Sequence, residues 1–527
     1  MQRSTIYSLF HDKTLEKRML SFGFPKNLSD RLQSISKWVT YIQSGNFRNP
    51  VSDAEYLHDL CVDVLGYRSP FIDSNKTWEL EFTPTTALGF FGGLANYVLV
   101  EVFIGDIQTK PQINYETTAW IIVTDYKYIR LYARHRIQAF YEQFELENLI
   151  TNADDLKRFY FMLCRRTLLA ANSQEQSRLS KLLIESEELV QEVINNFYQQ
   201  YHKIRGQLIK DFSYRLQLLS STTINLDSEL NLEQPEIDLM AIAKTQKLLN
   251  RIIFITYCQD HKLLPTQLML DAYEFSNPYI NQPIWENYKA IFSWINKGNM
   301  RQSVFGYGGS LFEYDQVLDE LLFVGDELCR QIKELTKFDF DNDIYGLAIA
   351  YILEELNKDL VLKNQSSTKR KKLKYPTKIL QMYESIENII QSHLYNLIQS
   401  TANENIDTWI LHKLALENLK IYVPECGSGI FLVMGLDILI KEYQQVYHQL
   451  NLESELIIPL KILQNQIYGC DRYSESVEIT KLNLWLYIIS PNQVLDNLDR
   501  NIHLGNTPDF QEVIDLAQTT GNLVILK

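Results

Sequence analysis

The stretch IYVPECGSGIFLV, residues 421 to 433, constrains the fold more than any other part of the chain. A run of buried-strand type, Ile421 to Val423, passes through a Gly-Ser-Gly turn directly into an apolar helix. Glycine accepts the positive φ that a sharp turn demands, and the start of the following helix offers free N–H groups to whatever lies above the turn. The flanking sequence keeps the alternation going. Strands at 419 to 423, 466 to 470 and 501 to 504 are separated by helices at 429 to 449 and about 474 to 489, the first half of a βαβαβ, doubly wound parallel sheet.

Two further residues fall where such a sheet meets a ligand. QIYGCD closes the second strand with Asp471, a position whose carboxylate can take both hydroxyls of a ribose, and the third strand runs into LGN, where Asn506 can meet an adenine edge. Gly-Ser-Gly alone is better read as a plain tight turn. An acid and an asparagine at successive strand ends make a nucleotide half-site the better reading.

The remainder divides by pattern into a multidomain α/β chain. At 527 residues with 46% hydrophobic side chains, about three domains are expected. Residues 1 to 150 read as helices with Trp38, Tyr41 and Ile42 at apolar spacing, a helix over 52 to 65, then short strands at 78 to 82, 97 to 103, 120 to 125 and 128 to 134. Residues 151 to 340 carry apolar residues at helical spacing with almost no glycine and read as a helical connector. Residues 341 to 527 hold the parallel sheet, with 361 to 378 as a linker or mobile loop. FYEQF (140 to 144) and RFYF (158 to 161) read as core, and His135 and His261 as surface or helix-end residues rather than general bases.

Charge and cysteine usage narrow the function classes. A net charge of −14 excludes a chain that coats nucleic acid along its length. Two local exceptions stand out. Residues 1 to 50 carry four Lys and four Arg against three acids, and Lys369, Arg370, Lys371 and Lys372 form a compact basic cluster, which is either a solvated loop or a phosphate contact. The six cysteines lie far apart, with no zinc-type spacing, so the expectation is reduced thiols, no structural metal and a cytoplasmic protein. The N-terminus is too polar for a signal peptide, and the longest apolar run, Ile430 to Ile440, is interrupted by Asp437, so no membrane span is expected.

PECGSGIFL resembles the D-P-A-C-G-S-G-x-F-L motif of N6-adenine-specific DNA methyltransferases, IYGCDRYSESVEITKLNLWL resembles their next motif, and NIHLGNTP the third. The resemblance implies an incomplete Rossmann-like S-adenosylmethionine domain. Pro424, Cys426, Gly427, Ser428 and Gly429 would approach the methionine part, Asp471 the ribose and Asn506 the adenine, with Tyr375 in an upstream segment similar to the family's tyrosine-threonine-proline lid. Departures at Val423, where the family has Asp, and at Glu425, where it has a small residue, lead us to expect weak cofactor binding. The order Tyr375-Pro376-Thr377 also differs from the family's.

The front of the chain resembles single-chain type IIG restriction-modification enzymes, which join a PD-(D/E)xK nuclease, a helical connector, a methyltransferase and a target-recognition domain. LLNRIIFITYCQDHKLLP (248 to 265) looks like the connector, and PTTALGFF (84 to 91) with VLVEVF (98 to 103) like the nuclease motifs P-D-x-A-L-G-F-F and V-V-E-L-K. By that alignment the Asp has become Thr85, the Lys has become Phe103, and Glu101 alone remains. One carboxylate does not hold a catalytic Mg²⁺. Asp106 falls past the strand end and is not expected to substitute, so the expectation is a degenerate nuclease fold kept for packing or DNA contact.

The family's catalytic N-P-P-Y loop follows a strand that GNLVILK resembles, and the sequence stops there. Two function classes follow. One is a DNA N6-adenine methyltransferase of the type IIG kind, truncated or split and nuclease-inactive, acting on double-stranded DNA with S-adenosylmethionine and a second chain that carries the loop and recognition domain. The alternative is a non-catalytic remnant that binds DNA or a partner.

Overall fold

A computed structural model describes residues 9–45, 50–68, 80–82, 86–90, 98–105, 118–134, 140–169, 176–222, 233–279, 281–344, 346–361, 373, 377–401, 408–450, 452, 458–491, 493–495, 497–505, 511–519 and 522–526. It is a mixed α/β, mostly helical chain with two sheets, and it separates into two compact units, Met1–Val190 and Gln191–Lys527.

The first unit is built on a six-stranded sheet in sequential order: β1 (Leu80–Phe82), β2 (Thr86–Phe90), β3 (Val98–Ile104), β4 (Trp120–Thr124), β5 (Tyr128–Ala133) and β6 (Tyr141–Glu145). Only β3 and β4 run parallel; every other neighbouring pair is antiparallel. β4 is buried along its whole length, as its unbroken apolar run WIIVT requires. The helix Leu32–Gln43 buries Trp38, whose ring meets Tyr56 at 5.1 Å and Tyr126 at 5.4 Å, while Tyr41 and Ile42 are half-buried. The helix Pro50–His58 runs on through a π-helical turn, Asp59–Val64, close to the expected 52 to 65.

Two strands were not legible in the sequence. β2 lies on PTTALGFF, whose Leu-Gly-Phe run lacks polar alternation. FYEQF, expected only as core, forms β6 with Phe140 and Phe144 buried, so it is core and strand at once.

In the second unit long helices come first, among them Gln234–Asp260, which opens with Pro inside a capping box formed by Glu233 and Glu236. His261 terminates this helix, its Nδ1 against the Tyr257 carbonyl at 2.9 Å, in keeping with the helix-end reading. His135 lies outside the described residues.

The second sheet has four strands, all parallel, in the order β10-β7-β8-β9, where β7 is Lys420–Pro424, β8 Ile467–Asp471, β9 Ile502–Leu504 and β10 Leu523–Ile525. The helices Ile430–Gln449 and Ser474–Ile488 follow β7 and β8 within a residue or two of the expected bounds. The chain steps from β7 through β8 to β9 on one side and returns to place β10 on the other. The strand order therefore reverses beside β7, and the crevice at such a reversal opens above the carboxyl end of the strand.

Asp437, which breaks the apolar run of Ile430 to Ile440, is buried and accepts hydrogen bonds from the hydroxyls of Tyr383 and Tyr487, with Lys441 Nζ at 2.9 Å. Burial alone would raise its pKa, but Lys441 and the two hydroxyls outweigh that and hold it below the ordinary carboxylate value. Among the described residues no helix is long and apolar enough to cross a membrane.

Candidate functional site

Above the carboxyl end of β7 the chain turns through Glu425, Gly427 and Gly429, at φ +53°, +60° and +76°. The left-handed region is open to glycine and costs other residues roughly 1 to 2 kcal/mol, so Glu425 carries strain that the two glycines avoid. Its exposed carboxylate pairs with Arg472 at 2.8 Å. The glycines are also required by space. A Cβ at Gly427 would lie 2.6 Å from Glu354 Oε2, and one at Gly429 2.7 Å from the Thr480 Cγ2 methyl.

Asp471, at the end of β8, reaches across to this turn. Its Oδ2 accepts the N–H of Gly427 at 3.0 Å and its Oδ1 the N–H of Tyr473 at 2.9 Å. A carboxylate offers about four lone-pair sites, so one acceptor position on each oxygen is left for a further donor. The structure thus gathers Pro424, Cys426, Gly427, Ser428, Gly429 and Asp471 at one sheet edge. Pro424 ends β7, opposite Cys470 of β8. The Cys426 thiol is buried, which pushes its pKa up to about 12; it rests 3.5 Å from Thr480 Oγ1 and stays a neutral packing group rather than a nucleophile.

Three supporting residues were missed by the sequence reading. Ser428 N–H donates to Glu354 Oε2 at 2.8 Å, and Ser428 Oγ donates to the Ala350 carbonyl at 3.1 Å. Both acceptors lie on the helix Gly346–Val361. Glu354 also pairs with Lys358 at 3.0 Å. From the other side the helix Ser474–Ile488 sends Thr480 Oγ1 to the Gly427 carbonyl at 3.1 Å and Asn483 Nδ2 to the Ser428 carbonyl at 2.8 Å. Thr480 and Asn483 are three apart on a helix whose other buried residues are mainly apolar, and that pattern was available as a signal. Glu354 left none, because its contact spans 74 positions.

No family model matches the chain. Over 322 residues it is 25% identical to a protein of Methanocaldococcus jannaschii named as a candidate type II restriction enzyme and methyltransferase, a match covering 49% of this chain and 27% of that protein. The chain therefore spans about a quarter of the curated relative it matches. Among solved structures it resembles the type IIL restriction-modification enzyme MmeI bound to DNA (15% identity, TM-score 0.42, 63% of this chain and 42% of that one). It also resembles a DrdV–DNA complex (10%, 0.29, 92% and 42%) and the type IIG restriction endonuclease BpuSI (9%, 0.27, 80% and 38%).

In the first unit, Glu101 of β3 is fully buried and accepts a hydrogen bond from Thr118 Oγ1. Phe103 packs against the cluster of Ile121, Val123 and Tyr132. His58, Asp59 and Asp63 each bring a ligand atom within 4.8 Å of the others. Asp59, however, already accepts from Lys37 Nζ at 2.7 Å and Trp38 Nε1 at 2.9 Å. Thr85, Tyr375, Asn506, Asp106 and the cluster Lys369, Arg370, Lys371 and Lys372 lie outside the described residues.

Proposed function

We propose that residues 341 to 527 hold S-adenosylmethionine for a DNA N6-adenine methyltransferase of the type IIG restriction-modification kind, and that the front of the chain is a nuclease-derived unit that does not cut. The observation that carries the reading is the Asp471 carboxylate, fixed by the Gly427 N–H at the point where the parallel strand order reverses. The relative from M. jannaschii supports it.

The residues present suit that cofactor. Asp471 keeps one acceptor on each oxygen for vicinal ribose hydroxyls, and it needs no reorientation because two backbone donors already hold it. Gly427 and Gly429 let Glu354 and Thr480 pack directly on the turn and hold its shape. Glu354, set on the Ser428 N–H and paired with Lys358, would stand as an acid beside the turn where Val423 offers none. When bound, S-adenosylmethionine supplies a methyl group on a sulfonium centre. The role of this chain would be to orient it, Asp471 at the ribose and the turn by backbone contact. Double-stranded DNA is the proposed partner, approached through the basic segments.

Titration calorimetry with S-adenosylmethionine tests the reading, with tritium transfer to an adenine-containing duplex measured for the chain alone and with a polypeptide carrying an N-P-P-Y loop. Saturable cofactor binding is expected, and methyl transfer should rise when the loop is supplied. A well-folded chain that binds no cofactor at millimolar concentration overturns the proposal and favours the non-catalytic DNA- or partner-binding reading.

A further inference from the structure

The first unit contains a cavity of about 240 Å³ whose lining includes Arg18, Phe22, Arg166, Arg178 and Lys181. At about 30 Å³ per water, that is room for several waters or one small anion. Four cations from three separate segments converge on it, and all four are exposed. Among the described residues no acid lines the cavity, and Glu185 meets the group by pairing with Arg18, whose Nε lies 3.0 Å from Glu185 Oε2.

Two of the charges are held in place, Arg18 by Glu185 and Arg166 by Phe22 and Gly23. The Arg166 guanidinium lies over the Phe22 ring at 4.4 Å and donates to the Gly23 carbonyl, contacts that fix its plane without neutralising it. Arg178 and Lys181 stand three apart on one helix, Arg178–Thr222, so they share a face. Phe22, Phe161 and Leu182 add apolar wall beside Ser21 and Gly23. Like charges crowded this way repel, and a bound anion offsets that cost. Arginine's planar fork matches the oxygens of a phosphate in particular.

We propose that this cavity is a phosphate-binding site, independent of the turn at Gly427. It gives a role to Arg18, one of the basic residues of the first fifty. A free phosphate and a DNA phosphodiester present the same chemistry, and the test separates them.

The full chain is titrated with inorganic phosphate, followed by thermal shift, and with a labelled duplex, followed by anisotropy across a salt series. The variants are R178E/K181E, the milder K181A, and K210E as a control with the same charge change on an exposed lysine farther along the helix. R178E/K181E is expected to weaken phosphate binding at least tenfold and K181A a few-fold, with K210E unchanged. If the duplex is the source, R178E/K181E also weakens DNA binding and lowers the salt slope by about 2, close to one unit per lost phosphate contact. Loss of phosphate binding alone identifies a free phosphate ligand. Wild-type protein that binds neither probe, or folded K181A and R178E/K181E that bind both as wild type does, overturns the proposal.

Discussion

The Oδ2 of Asp471 accepts the backbone N–H of Gly427 at 3.0 Å, joining the ends of β8 and β7 across 44 positions of sequence. The same carboxylate therefore ties the turn in place and offers its remaining lone pairs to a ligand. A substitution there tests two functions at once, and the two can be separated by choosing the replacement.

Asp471→Asn keeps one oxygen acceptor for the backbone and removes the charge, whereas Asp471→Ala removes both. Charge-assisted hydrogen bonds contribute about 1.5 to 3 kcal/mol each, so Asp471→Asn should lower S-adenosylmethionine affinity about tenfold or more, and because it sets an amide NH2 against one of the two backbone donors it should lower the melting temperature by less than Asp471→Ala does. Asp471→Ala should abolish measurable binding and also lower the melting temperature. Calorimetry that finds Asp471→Asn equal to wild type would remove the ribose assignment.

The two glycines of the turn should differ in tolerance. A Cβ at Gly427 meets the carboxylate end of Glu354, a flexible side chain that can move aside, while a Cβ at Gly429 meets Thr480 at its methyl, its Oγ1 and its backbone Cα (3.1 Å). Overpacking of that kind costs about 1 to 3 kcal/mol, added to left-handed strain at both positions. Gly429→Ala should therefore destabilise the fold more than Gly427→Ala in urea unfolding. The reverse order would show that Glu354 is held more firmly than its surroundings imply.

Glu101 should matter for stability and not for cleavage. It is buried against Thr118, and Phe103 stands where a nuclease lysine is expected. With Mg²⁺ or Mn²⁺ and mixed plasmids, wild type and Glu101→Gln should both leave DNA intact. Cutting by wild type that Glu101→Gln abolishes would show that the site still assembles.

Asp260, at the end of the helix Gln234–Asp260, should make stability fall on the alkaline side. Burial, reinforced by Asp339, Asp341 and Asp343, raises its pKa to about 7, against the hydrogen bond it accepts from Phe340 N–H at 2.8 Å. The folded pKa lies above the unfolded value of about 3.9. The stabilising contribution is therefore complete below about pH 4 and is lost as pH rises through about 7. Asp260→Asn keeps the acceptor for Phe340 and cannot ionise. It should melt above wild type at pH 8 and match it at pH 4, by scanning calorimetry at the two values; equal melting temperatures at pH 8 would contradict the shift.

Much of the second sheet was legible from local pattern. Strand and helix periods placed β7, β8, β9 and the helices between them, because period-2 and period-3.6 spacing are written in neighbouring residues. The turn at Gly427 and Gly429 and the acid at Asp471 were legible for the same reason: positive φ and a strand-end carboxylate are local requirements. Contacts between distant segments were not. That Glu354 caps Ser428, that Glu101 is sealed by Thr118, that Asp437 is neutralised by Lys441 between two tyrosines, and that Arg18, Arg166 and Arg178 line one cavity were all decided by packing. A side chain's sequence neighbours do not reveal which remote backbone will be folded against it, and the charge, burial and hydrogen bonds that give it a function come from that remote surface.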